Sequence, residues 1–202
     1  GFNTPNNGSI KVNGDEVIGL NQRKLREKKI SLVPEDRMLY GIAADATIQE
    51  NMLSDRISDK RYNKGLLFNL KAMENDTDEL IRQYTVLCKS REQKVGMLSG
   101  GNIQKVVVAR EFSNNPDLII ADQPTRGIDV GATEFIRRKL VELSRSGIGV
   151  LLVSADLNEV MELSDSLIIM YGGQRYIRKS SHLYHNHSVL KQYRRRFQLQ
   201  FL

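Results

Sequence analysis

The sequence predicts a doubly wound α/β domain with a parallel-sheet core and an inserted helical block, and three observations predict it. The runs at 118–121 and 149–153 are short and almost wholly apolar, the mark of parallel strands buried on both faces. Helical patterns at 100–114, 132–145 and 157–163 alternate with them. Ser99-Gly100-Gly101-Asn102 opens the first of these helices, and Asp122 closes the next apolar run, eighteen residues after Gln104. A Ser-Gly-Gly turn at a helix start points backbone N–H groups and a hydroxyl at an anion, with the positive end of the helix dipole behind them. A carboxylate at the carboxyl end of a parallel strand stands where the Mg²⁺ of a bound nucleotide is held.

Taken in order, Ser9-Ile10-Lys11-Val12 alternates and Asn13-Gly14 offers a tight turn before Val17-Ile18, so a β-hairpin comes first. The next strand, 29–33, is stopped by Pro34, and the charged loop Glu35-Asp36-Arg37 follows at its carboxyl end. From 47 to 87 the pattern is helical: Thr47 and Glu50 form a capping box, and Leu80, Ile81, Tyr84 and Leu87 share a face. A helical insertion over about 47–97 is expected from this. The helix at 100–114 turns Val106, Val107 and Ala109 inward and is ended by Asn114-Asn115-Pro116. Ser146-Gly147 closes the helix at 132–145, and a last strand is expected at 167–170, before a turn at Gly172-Gly173. No internal repeat is visible.

At 202 residues the chain fits one domain with a sizeable core. Its single Cys88 excludes an internal disulfide and, expected on a helix, reads as a buried thiol rather than a reactive one. No apolar run approaches the roughly 20 residues that span a bilayer, so any membrane link comes through a partner. The net charge of +6 is unevenly placed: seven Lys or Arg and no acid lie in 175–202, leaving 23 basic and 24 acidic groups in 1–174. That neutral body gives no electrostatic footprint for DNA or RNA.

Val33-Pro34-Glu35-Asp36-Arg37, Leu98-Ser99-Gly100-Gly101-Asn102 and Gln123-Pro124-Thr125-Arg126-Gly127-Ile128-Asp129-Val130-Gly131-Ala132 together resemble the ATP-binding proteins of bacterial ABC importers. Within that family they are most similar to the second cassette of the fused ATPases serving simple sugars and nucleosides. The resemblance covers residues 1–174 and implies a P-loop NTPase-like ABC cassette lacking its N-terminal Walker A unit. No G-x-x-x-x-G-K-[ST] occurs in the 202 residues. Gly1-Phe2-Asn3-Thr4-Pro5 looks like the segment just after the helix that follows that loop, so the chain reads as a fragment that starts one βα unit late.

By position, the resemblance makes Ser99, Gly100, Gly101 and Asn102 the signature loop, Asp122 the Walker B carboxylate that meets Mg²⁺, and Asp129 the D-loop acid at a dimer seam. Glu35 takes the Q-loop place. Gln123 stands where the general-base glutamate would be, and Ala155 stands in the place of the switch histidine. A neutral amide can orient water but cannot take its proton, and general-base help is typically worth about 10² to 10⁴ in rate. The implied cofactors are ATP and Mg²⁺. The implied partners are a second cassette, membrane permease subunits and a substrate-binding protein, with no nucleic acid, at the cytoplasmic face of the membrane. Two functions follow: an ATP-binding subunit coupling ATP binding and hydrolysis to uptake of simple sugars or nucleosides, or a non-catalytic cassette that lends its signature loop to a partner's site. The isolated chain is expected to be inactive.

Plainer readings stand beside these. Glu35-Asp36-Arg37 is a nucleotide sensor or a solvated loop, Asp129 a seam acid or a simple helix cap, and the 47–97 block a dock for a membrane subunit or ordinary core packing. In 175–202, His182-x-x-His185-x-His187 has no acid or Cys to complete a metal site, and Arg194-Arg195-Arg196 offers charge to phosphate or anionic lipid. The acid-free run itself reads as an altered reading frame or foreign tail, or as a native basic tail.

Overall fold

The computed structural model describes residues 5–64, 67–171 and 174–179. The first strands, β1 (Lys11–Val12) and β2 (Asp15–Glu16), pair antiparallel around Asn13 and Gly14, both at positive φ (53° and 88°). Two left-handed central residues make the turn whose twist matches a right-handed hairpin. Helix α1 (Gln22–Glu27) is capped by the Asn21 side chain, and Lys29 at φ 56° turns the chain into β3 (Ile30–Val33). The strand ends before Pro34, as the sequence requires.

The helical block opens with α2 (Ile48–Leu53), where the expected capping box is present: Thr47 Oγ1 accepts from Glu50 N at 3.1 Å and Glu50 Oε2 accepts from Thr47 N at 2.8 Å. The helical pattern does not continue to Leu87. Turns and a two-residue hairpin, β4 (Asn63–Lys64) with β5 (Leu67–Phe68), precede α3 (Leu70–Gln83). Thr85 adopts φ 51°, which ends α3 early and takes Leu87 off the face shared by Leu80 and Tyr84; Leu87 is 71% exposed. Cys88 therefore lies past the helix rather than on it, half-buried, with its thiol pKa pushed up by burial and then by Asp78.

Helix α4 (Gly100–Phe112) is the core of the molecule. Val106, Val107, Val108 and Ala109 are all fully buried, because α4 packs against α2, α3, β3 and the next long helix at once. A helix covered on every side carries no polar stripe. After Asn115, at φ 51°, come β6 (Leu118–Asp122), α5 (Val130–Arg145), β7 (Gly149–Val153) and α6 (Leu157–Leu163). The sheet order is β3-β6-β7, all parallel, with Val33 beside Ala121 and Asp122 beside Val153. The segments that follow β3, β6 and β7 thus leave the same edge of the sheet.

A buried ion network ties the helical block to this core. Glu111, fully buried, accepts from Arg110 Nε at 2.9 Å and Arg26 Nη2 at 2.8 Å, while Arg26 also pairs with Asp55 at 2.8 Å. Such a cluster holds only when each charge is met, and removing one member leaves another uncompensated.

The strand expected at 167–170 is present but does not join the parallel sheet. It is β8 (Ser166–Tyr171), paired antiparallel with β9 (Gln174–Lys179) across the whole of its length. A partner strand immediately downstream is entropically the nearest one to reach, and local pairing takes it. Residues 175–179 accordingly continue a hairpin. The turn at Gly172-Gly173, the segment 1–4, the three His and the Arg194-Arg195-Arg196 cluster lie outside the described residues.

Candidate functional site

Glu35 and Arg37 lie just beyond β3, and Asp36 caps a short π turn, Arg37–Gly41, accepting from Met38 N and Leu39 N at 3.0 Å each. Arg37 reaches across to the loop after β6: Nη1 donates to Arg126 O at 2.9 Å and Nη2 to Gly127 O at 3.2 Å. Arg126 returns the contact, its guanidinium pairing with Glu35. The charged loop is therefore tied to the loop after β6 by a reciprocal clasp.

Asp122 ends β6 in the same region. Its carboxyl is held above the usual aspartate value, first by burial and then by the Glu35 charge. Gln123 follows at φ 48°, its N–H bonded to Val153 O at 2.8 Å and its side-chain Oε1 accepting from Ala155 N at 3.2 Å. The Gln123 amide and the Ala155 backbone are thus in direct contact. Gln104 in α4 supports this loop from below through Nε2 to Pro124 O at 2.8 Å.

Ser99 is the N-cap of α4. Its hydroxyl oxygen accepts from Asn102 N at 3.4 Å and Asn102 Nδ2 at 2.9 Å, and Asn102 Oδ1 in turn accepts from Leu87 N at 2.9 Å. Gly101 has no room for a side chain: a Cβ there would overlap Asp129 Oδ2 and stand 2.9 Å from Ala132 Cβ. A Cβ on Gly100 would lie 3.1 Å from Arg37 Nη2. Asp129 does cap α5, accepting from Ala132 N at 2.9 Å, and also lies against the Ser-Gly-Gly turn.

The candidate residues form two groups: Ser99, Gly100, Gly101 and Asn102 with Asp129, and Glu35 with Asp122, Gln123 and Ala155. The loop from Asp122 to Asp129 joins them, and Arg37 stands between. The bonds of Arg37, Arg126 and Gln104 were not foreseen. For Gln104 the signal is slight, a neutral amide on a helix otherwise read as turning Val106, Val107 and Ala109 inward; the two arginines sit in loops and give none.

A family model described as "ABC transporter" matches residues 1–126, more than half of the chain. The chain belongs to the ABC transporter family. Among curated relatives of this ABC chain, the guanosine import ATP-binding protein NupO of Bacillus subtilis is 38% identical over 174 residues, 86% of this chain and 34% of that protein. The glucose import ATP-binding protein TsgD13 of Haloferax volcanii is 35% identical over 176 residues, 86% of this chain and 32% of that protein. The ribose import ATP-binding protein RbsA of Caldanaerobacter subterraneus is 38% identical over 174 residues, covering 86% and 35%. The ABC chain thus spans about a third of the length of the curated relatives it matches. Its fold is that of solved ABC cassettes: the dimeric cassette MJ0796 bound to ADP and Pi superposes with a TM-score of 0.70 at 24% identity, covering 87% of this chain and 75% of that one. A nucleotide-free cassette from an ABC transporter gives 0.67 at 22% identity, covering 89% and 72%.

Proposed function

We propose that this ABC chain forms part of the ATP-binding subunit of an importer for simple sugars or nucleosides, with its signature loop completing the phosphate site of a second cassette. The observation that carries the reading is the gathering of Ser99, Gly100, Gly101, Asp129, Asp122 and Gln123 along one edge of the parallel sheet. Ser99 and the first N–H groups of α4 sit at the positive end of a thirteen-residue helix, suited to a γ-phosphate presented from outside. That role needs no phosphate-wrapping loop in the same chain, and the sequence contains no such motif.

The donor set fits a magnesium nucleotide. Burial, and after it the Glu35 charge, hold the Asp122 carboxyl above its ordinary value, as a group placed to receive a cation would be. Among the described residues no cluster of three or more metal-ligating side chains occurs, so Asp122 would meet a cation carried in on phosphates. Mg²⁺ bound there supplies charge neutralisation at the phosphates. Gln123 orients water without accepting its proton, and Ala155 offers only its backbone N–H, already engaged by Gln123. Those two residues favour the second reading, a cassette that lends its signature loop and leaves proton transfer to its partner. Partners of this kind are permease subunits, a second cassette and a substrate-binding protein, with the chain peripheral at the cytoplasmic membrane face. Among the described residues no helix is long and apolar enough to cross a membrane.

The test uses an assembled importer whose other cassette carries an intact phosphate-binding loop. Ser99→Arg in this chain is expected to abolish turnover at the partner's site, and unchanged turnover overturns the reading. Calorimetry on the chain alone is expected to give no Mg-ATP binding; micromolar binding, unaffected by Ser99→Arg, would replace the trans site with one in cis.

A further inference from the structure

Glu159 in α6 is fully buried, yet none of the sequence motifs points to it. Burying an ionised carboxylate costs free energy unless charge and hydrogen bonds compensate it. Compensation comes from two other elements. Thr125 Oγ1, in the loop after β6, donates to Glu159 Oε1 at 2.8 Å, and Arg137 Nε, from α5, donates to the same oxygen at 3.2 Å. Glu159 Oε2 has no hydrogen-bond partner among the described residues. Arg137 also donates through Nη2 to Asp156 at 3.0 Å and reaches Glu162 at 3.5 Å. Asp156 caps α6, accepting from Asn158 N at 2.9 Å.

One buried carboxylate thus binds together the loop after β6, the face of α5 and the helix that carries the loop after β7. The contact between Gln123 Oε1 and Ala155 N spans the same two loops. Gln123 keeps a left-handed backbone, φ 48°, which a non-glycine residue holds only when its surroundings over-determine it. Its N–H is fixed to Val153 O on one side, and the Thr125 to Glu159 bond fixes the chain two residues further on.

We propose that Glu159 is a positioning residue for the site. Through Thr125 and Arg137 it sets the spacing of the two loops and holds the Gln123 amide against Ala155. An apolar side chain of similar volume would fill the same space, but would give Thr125 no acceptor and the loop no direction. The inference rests on the reading that Gln123 faces the nucleotide.

Hydrogen–deuterium exchange of the 202-residue chain tests the positioning itself, comparing wild type with Thr125→Val, Thr125→Ser and Glu159→Gln. Valine keeps the shape of threonine without its hydroxyl. Exchange at the Ala155 amide is expected to rise about tenfold in Thr125→Val, the effect of losing one bond to a charged acceptor. Thr125→Ser restores slow exchange, Glu159→Gln lies between, and amides of Ile119 to Ala121 in β6 stay unchanged in all three. Wild-type exchange at Ala155 in Thr125→Val, or equal rates in the Ser and Val variants, overturns the proposal. In an assembled importer, Thr125→Val is expected to lower kcat with KM for ATP unchanged, and Thr125→Ser to recover it; equal kcat in the two variants also overturns it. An importer whose turnover ignores Ser99→Arg overturns the functional reading instead, while the exchange data still decide what Glu159 does.

Discussion

Gly101→Ala isolates the geometry that joins the Ser-Gly-Gly turn to the Asp129 cap. Helix propensity alone favours the change, since alanine exceeds glycine by about 1 kcal/mol in a helix interior. The surroundings oppose it. The new Cβ would overlap Asp129 Oδ2 and lie 2.9 Å from Ala132 Cβ, well inside ordinary contact distance. Asp129 has to move, and its bond to Ala132 N, 2.9 Å long, caps α5. Loss of such a cap costs about 1 kcal/mol, and overpacking against Ala132 a further 1–3 kcal/mol. With the propensity gain deducted, the net expected loss is about 1–3 kcal/mol. At about 2–4 °C per kcal/mol for a chain of this size, the midpoint falls by roughly 2–12 °C. Urea denaturation followed by circular dichroism measures the change directly. The same substitution in an Asp129→Ala background is expected to cost at least about 1 kcal/mol less, because the cap is already gone and the carboxylate no longer stands in the way. A neutral or stabilising Gly101→Ala, or strictly additive effects in the pair, would refute the reasoning.

Arg37→Lys is expected to lose nearly as much stability as Arg37→Ala, about 1–2 kcal/mol, because an ammonium cannot donate at once to Arg126 O and Gly127 O as the guanidinium fork does. Full retention of stability by the lysine variant in the same denaturation assay would rule out the two-carbonyl clasp. Asp122 gives a pH prediction. Its folded-state pKa lies above the ordinary 3.8, so its contribution to stability is complete below that value and is lost as pH rises through the raised one. Asp122→Asn is therefore expected to raise the thermal midpoint at neutral pH and to give no gain in strongly acidic buffer. A lower midpoint for the variant at neutral pH would contradict the repulsion between Asp122 and Glu35.

Much of the fold was legible because burial leaves a local trace. The apolar run ending at Asp122, the alternation of strands with helices and the Thr47/Glu50 capping box each state their structure within a few residues, and each is where the sequence puts it. Reading failed where a single backbone angle or a distant partner decides. Nothing in the helical pattern of Leu80, Ile81, Tyr84 and Leu87 announces that Thr85 turns left-handed and ends α3. Periodicity also cannot tell a strand of the parallel sheet from one that pairs with the segment just after it, so the expectation of a strand at 167–170 left open which sheet it joins.

By itself the sequence determined which side chains the candidate site offers: the serine and glycines that open α4, the carboxylate ending β6, the Gln123 amide after it, and Ala155. Those are facts of side-chain type and spacing, which survive any arrangement of the rest. Only the tertiary structure decided what holds them. Arg37 meets Arg126 across 89 positions, Gln104 meets Pro124 across 20, and Thr125 meets Glu159 across 34. Contacts that close such long loops are repaid only once the parallel sheet has brought the ends of its strands together, and no local pattern encodes them.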